Sequence, residues 1–173
     1  MARYTIAFLT LDEVGDYVID DEHAIAPLEA LGWSVSTVSW RQDEIPWGHF
    51  DAVIIRSTWD YWDDVGAFLS VLEKIDRASR LANPLQLVRW NYRKTYMRDL
   101  ASRGVKIVPT LFPESVAPDS FGGWFGQHQC DELVIKPVVG ANGDDAYRVS
   151  KEAGRDRLEW IANRFRNKTA LVQ

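Results

Sequence analysis

Residues 132–149 read "ELVIKPVVGANGDDAYRV". Leu133 to Lys136 is an apolar strand that ends in Lys136-Pro137. Residues 137–145 form a loop carrying Gly140 and Gly143, and residues 146–149 are strand-like again. A lysine at the exit of a buried strand needs an explanation, because an ammonium taken out of water is costly unless it reaches solvent or meets an anion. Phosphate is one such anion. The chain ends in "TALVQ" (169–173), also strand-like. Its backbone groups need a neighbouring strand, which the 133–149 hairpin can supply. With no polar tail or cap after it, this last strand reads as cut, and the chain is expected to continue.

The segments around the hairpin follow from periodicity. Leu158, Ile161, Ala162 and Phe165 line one face of a helix, and Met97 and Leu100 lie on one side of another that stops at Gly104. "VKIVPT" (105–110) reads as a short strand, and residues 112–129, rich in Gly, Pro and aromatics, as loop with one helical turn.

The first half alternates differently. Residues 4–11 form a strand, Ile25, Leu28 and Leu31 a helical stripe ending at Gly32, and residues 35–40 and 52–55 two further strands. Val65, Phe68, Leu69, Leu72 and Ile75 mark the clearest amphipathic helix, and a short strand at 80–82 ends at Asn83-Pro84. The fold class is therefore α/β. Residues 1–84 form a doubly wound parallel sheet with ligands expected at the C-terminal ends of its strands, and residues 85–173 form a second, α+β domain.

Composition narrows the function. The chain has 173 residues, 46% of them hydrophobic and 26% charged, as in a soluble globular protein. A net charge of −5 supplies no basic field for nucleic acid or an anionic membrane, so neither is an expected partner. A single cysteine, Cys130, excludes an internal disulfide. With no secretory apolar region and no run long enough to span a bilayer, the cytoplasm is the expected location.

There is no G-x-x-x-x-G-K-[ST] motif and no G-x-G-x-x-G after a strand. Gly140-Ala141-Asn142-Gly143 alone is a hairpin turn. Lys94 alone is a surface lysine. Together with Lys136 it gives two lysines at element ends that can converge. Four blocks occur in order: "IIRSTWDYWDD" (54–64), "NPLQLVRWNYRKTYMRDLASRGVKIVPT" (83–110), the 132–149 hairpin and the closing "LVQ". In that order they resemble the ATP-grasp superfamily, in its glutathione-synthetase-like and D-cycloserine-ligase-like branch of carboxylate-amine ligases.

The resemblance implies a pre-ATP-grasp domain followed by the N-terminal ATP-grasp subdomain, reaching the hinge strand at Gln173. It implies that Lys94 and Lys136 touch the nucleotide and that the loop with Gly140, Asn142 and Gly143 folds over the triphosphate. Gln173 opens the strand whose backbone edge holds adenine. Arg56 and Ser57, after the third strand of the first domain, face the substrate, where an arginine can grip a carboxylate with two hydrogen bonds. The implied cofactors are ATP and magnesium, the implied partners small-molecule carboxylate and amine substrates and a second copy of the chain. Magnesium ligands and a catalytic arginine belong to a C-terminal half outside these residues. The chain alone is then expected to bind ATP weakly and to be inactive.

Other readings compete at single residues. Ser57 or Thr58 can cap a helix, with Arg56 in a surface ion pair. Asp144-Asp145 adds negative charge to the loop expected to meet phosphates. His23, His49 and His128 lack metal-ligand spacing, and Cys130 reads as a structural thiol. Trp59, Tyr61 and Trp62 read as packing. The alternative to a ligase is a non-catalytic nucleotide-binding or interaction module that keeps the fold.

Overall fold

In the computed structural model, which describes residues 3–15 and 17–173, the chain divides into two units, Met1–Trp90 and Asn91–Gln173. The first contains β1 (Tyr4–Thr10), α1 (Glu22–Ala30), β2 (Trp33–Ser39), a 3-10 turn (Trp47–His49), β3 (Ala52–Ile55), α2 (Val65–Ala78), β4 (Arg80–Ala82) and α3 (Leu85–Asn91). Its strands form one parallel sheet in the order β2-β1-β3-β4.

That order reverses direction at β1. The β1-α1-β2 crossover runs one way and β3-α2-β4 the other, so right-handed connections put α1 and α2 on opposite faces. The strand sequences agree, since both faces of β1 are buried. Ala7 and Leu9 pack with Val53 against Phe68, Leu72 and Ile75 of α2, while Ile6 and Phe8, which alternate with them, are each 2% exposed. The predicted α2 stripe is therefore the core contact. α1 forms as expected but buries none of its residues, and Leu31 falls past its last turn and is exposed.

The "WDYWDD" block is pinned to the first sheet. The Trp40 indole donates to the Asp60 carboxylate at 2.7 Å, Arg41 donates to its other oxygen at 2.8 Å, and the Arg41 guanidinium lies 4.1 Å from the Trp40 ring centroid. Tyr61 packs on the Phe68 ring at 5.5 Å, and Trp59 meets Tyr17 edge-on at 5.5 Å. Packing is thus the role seen for Tyr61. The α2 cap is Asp64, whose carboxylate accepts from the Ala67 N–H, so neither Ser57 nor Thr58 caps this helix.

The second unit contains α4 (Tyr96–Ser102), α5 (Ser120–His128), β5 (Glu132–Pro137), β6 (Tyr147–Ser150), α6 (Arg155–Arg164) and β7 (Ala170–Val172). Its sheet is antiparallel in the order β6-β5-β7, so the closing strand does pair with the hairpin. Alternation along β5 sets its two faces. Leu133 and Ile135 join Val149, Ala170, Val172, Ile161 and Phe165 in the core. Val134 and Lys136 point to the other side, where Lys136 sits opposite Leu171.

Two sequence expectations fail in this unit. Residues 105–110 are not a strand; the pairing begins one residue later, as a single bridge between Leu111 and Val172. Residues 112–129 hold a full helix, α5, where one turn was expected. Gly122, Gly123 and Gly126 weaken its intrinsic propensity. Phe121, Trp124 and Phe125, at i, i+3 and i+4, bury together in the second core and outweigh that cost.

The same helix gives a paired prediction. A Cβ on Gly123 meets nothing within 4 Å, so Gly123→Ala is expected to stabilise the chain by about 1 kcal/mol. Phe125→Ala is expected to destabilise it by about 3–5 kcal/mol through a core cavity. Urea unfolding of both variants beside the parent checks the two signs.

Candidate functional site

The lysines singled out in the sequence meet inside the second unit. Lys94 lies in the turn before α4, not within the helix as its sequence position suggested. Its N–H donates to the Val138 carbonyl at 2.8 Å and its Nζ to the Gly140 carbonyl at 2.7 Å. Both ends of Lys94 are thereby stitched to the chain leaving β5. Burial pushes the Lys94 ammonium below its ordinary pKa, and the positive charge of Lys136 pushes it further the same way. Lys136 thus lies within electrostatic reach of Lys94.

The loop is shaped around that contact. A Cβ on Gly140 would stand 3.0 Å from Pro137 Cγ and 3.9 Å from Lys94 Nζ, so a side chain there would crowd Pro137. Beyond it Asn142, Gly143 and Asp145 all take positive φ, and the Asp144 and Ala146 N–H groups close turns on Ala141 and Gly143. Short polar or absent side chains suit this left-handed backbone.

Asp145 does not direct its charge at the lysines. Its side chain, 12% exposed, accepts from Arg164 at 2.6 Å, from Tyr147 Oη at 2.5 Å and from Lys168. Burial alone would raise its pKa; the hydrogen bonds from Lys168, Tyr147 and Arg164 outweigh burial and hold the carboxyl well below the usual carboxylate range. Asp145 thus anchors the loop exit to the end of α6 and the turn into β7, and of the two acidic loop residues only Asp144 is left exposed.

Gln173 continues β7. Its N–H donates to the Val134 carbonyl at 2.9 Å and its carbonyl accepts from the Val134 N–H at 2.7 Å. Its backbone N–H is spent on β5, while its side-chain amide donates to Thr110 Oγ1 at 2.9 Å near Met97 Sδ. Cys130 donates to the Glu132 carbonyl at 3.1 Å and packs against the second core. Among the described residues no group of three or more His, Cys, Asp or Glu side chains is placed to hold a metal ion.

The first unit has its own polar cluster at the C-terminal ends of β1 and β3, where the strand order reverses. Arg56 and Ser57 follow β3 directly. The Arg56 N–H bonds to the Leu9 carbonyl, and the Ser57 carbonyl accepts from the Leu11 N–H at 2.8 Å. Asp21, just before α1 and 3% exposed, accepts from Arg56 at 2.7 Å and 2.6 Å on Oδ1 and from Ser57 Oγ at 2.9 Å on Oδ2. Sequence reading passes over Asp21, because an acidic residue ahead of a helix looks like an ordinary cap. Its side chain makes no cap hydrogen bond.

The chain is similar to known proteins in sequence and in fold. Residues 6–83 match the family described as "D-cycloserine synthetase DcsG, N-terminal domain". The cycloserine biosynthesis protein DcsG of Streptomyces lavendulae is 28% identical over 145 residues, 82% of this chain and 48% of that protein. The crystal structure of D-cycloserine synthetase DcsG superposes with a TM-score of 0.76 at 26% identity, covering 98% of this chain and 58% of the other. A RimK domain ATP-grasp protein from Sphaerobacter thermophilus gives a TM-score of 0.67 at 17% identity, covering 98% and 63%. In sequence and fold the chain resembles DcsG, and in fold an ATP-grasp protein. It spans about half the length of the curated relative. No helix among the described residues is long and apolar enough to cross a membrane.

The Asp145 anchor has a pH signature. A carboxylate whose folded pKa is depressed contributes stability that is complete above its unfolded value, about 3.9, and is lost as pH falls below it. Asp145→Asn is expected to lower the thermal midpoint at pH 7, with the gap to the parent narrowing once pH drops below about 4. Melting curves across pH 2–7 check this; a gap independent of pH would show that the charge of Asp145 contributes nothing.

Proposed function

We propose that the chain supplies the nucleotide-phosphate side and one substrate-facing wall of an ATP-dependent carboxylate-amine ligase that works through an acyl phosphate. The observation that carries this reading is the convergence of Lys94 and Lys136 beside the Gly140 turn, with Lys94 held below its ordinary pKa. Two mutually repelling ammonium groups next to backbone that tolerates close approach suit a polyphosphate.

In that reaction a carboxylate oxygen attacks the terminal phosphorus of ATP and ADP leaves; an amine then attacks the acyl carbon and phosphate leaves. ATP supplies the phosphoryl group. The residues of this chain bind and orient. Lys94 and Lys136 neutralise phosphate oxygens, the Gly140–Gly143 turn lies over them, and the Gln173 end of β7 flanks the base. Positioning and charge neutralisation carry such a transfer, so no nucleophilic side chain is needed here. A substrate carboxylate is gripped by Arg56, with Ser57 behind it on Asp21.

Magnesium, when bound, would add to the neutralisation of the phosphates; among the described residues no cluster of His, Cys, Asp or Glu is placed to hold it. By itself the chain is expected to bind ATP weakly and not to turn over. We assign it to the cytoplasm and to a homodimer, the latter testable by light scattering.

Two measurements test the nucleotide assignment. Lys136→Ala is expected to weaken ATP binding by roughly 1.5–3 kcal/mol, the scale of a charged hydrogen bond, in calorimetric titration. Equal affinity in mutant and parent would overturn the assignment of Lys136 to the phosphates. Because the Lys94 pKa is lowered in the free chain, a bound polyphosphate should raise it. ATP binding at alkaline pH is then expected to take up protons, read as a dependence of the calorimetric heat on buffer ionisation enthalpy, and Lys94→Arg is expected to abolish the uptake.

A further inference from the structure

The geometry around Asp21 points to a preorganised carboxylate clamp, in which we propose that Asp21 is the positioning residue and Arg56 the only side chain of the three that touches substrate. This rests on reading Arg56 as the grip on a substrate carboxylate and divides the labour within that site.

The guanidinium of Arg56 has five N–H donors. Asp21 Oδ1 takes the Nε hydrogen at 2.7 Å and one Nη2 hydrogen at 2.6 Å. What remains is the Nη1 pair and the second Nη2 hydrogen, the planar fork that matches a carboxylate. The side chain is 39% open to solvent, whereas the Asp21 side chain is 5% exposed. The Phe8 ring lies 5.6 Å from the guanidinium carbon, so Arg56 is fixed along one edge and contacted on one face.

Ser57 is 3% exposed and spends its hydroxyl hydrogen on Asp21 Oδ2. Its side chain has no donor left for a ligand, so it acts through Asp21 by fixing the carboxylate plane. Both oxygens of Asp21 are thus occupied by groups from the end of β3. A free arginine loses rotamer freedom when it grips a ligand; one already held loses little of it on binding. Asp21 also works against binding, because its negative charge repels an incoming anion. Preorganisation and repulsion therefore predict opposite signs when Asp21 is neutralised, which makes the inference decidable.

The test is NMR of the full chain with 15N-arginine, the Arg56 Nε–Hε signal assigned by its loss in Arg56→Lys. Acetate and glycine are titrated at constant ionic strength, with chloride as control. The expected result is a saturable shift with both carboxylates and none with chloride. Ser57→Ala, which leaves every charge in place, is expected to weaken acetate binding about threefold, as for one neutral hydrogen bond. Asp21→Asn is expected to weaken it about tenfold, the lower end of what outer partners contribute at metal sites. Unchanged affinity in Ser57→Ala together with tighter binding in Asp21→Asn would leave only a field effect and overturn the positioning role. A linear response matched by chloride would overturn the clamp itself. If Asp21→Asn does not fold, Ser57→Ala decides alone. ATP titration of the same samples separates the two levels. Lys136-dependent ATP binding without carboxylate saturation rejects the clamp only, and loss of both rejects the ligase reading.

Discussion

Two positive charges held close together are the constraint around which the second unit is arranged. Lys94 is kept at the exit of β5 by hydrogen bonds at both ends, to Val138 and Gly140, and Lys136 projects from that strand on the face away from the core. Burial first, and the like charge of Lys136 second, lower the pKa of Lys94 in the free chain. The surrounding features follow as ways of keeping the pair in place. Gly140 allows the close approach, and Asp145 ties the far end of the loop to α6 and β7, away from the lysines.

The first unit solves a different problem with the same economy. Its strand order reverses at β1, so the chains leaving β1 and β3, still hydrogen-bonded to each other at Leu11 and Ser57, go on to helices on opposite faces. A buried carboxylate from the β1–α1 segment reaches Arg56 and Ser57. A buried ion pair is weak support for stability in general. Here it gives Arg56 one fixed orientation, which a binding arginine needs more than it needs extra attraction.

Helix α5 shows local propensity losing to tertiary packing. Three glycines in nine residues argue against a helix, and a chain segment in isolation would obey them. Three aromatic residues on one face reverse the outcome because they complete the core beneath β5 and β6. The converse holds at 105–110, where an apolar run with strand propensity has Val105 and Val108 exposed and pairs only from Leu111 onward. Propensity without a partner strand does not make a strand.

What the sequence determined by itself was the local and periodic content. The strands at 52–55 and 80–82, the α2 stripe, the hairpin around Gly140 and the pairing of the last strand with it were all legible, because each is set by spacing along the chain. So was the pair of lysines at element ends. Tertiary structure alone decided which charges meet. Asp21 lies 35 residues from Arg56, and Lys168 lies 23 from Asp145. No local signal marks such partners, since a carboxylate before a helix or inside a turn has the same sequence whether it caps, solvates or bridges. The fold settles the choice, because burying a charge is tolerable only where another element brings its counterpart.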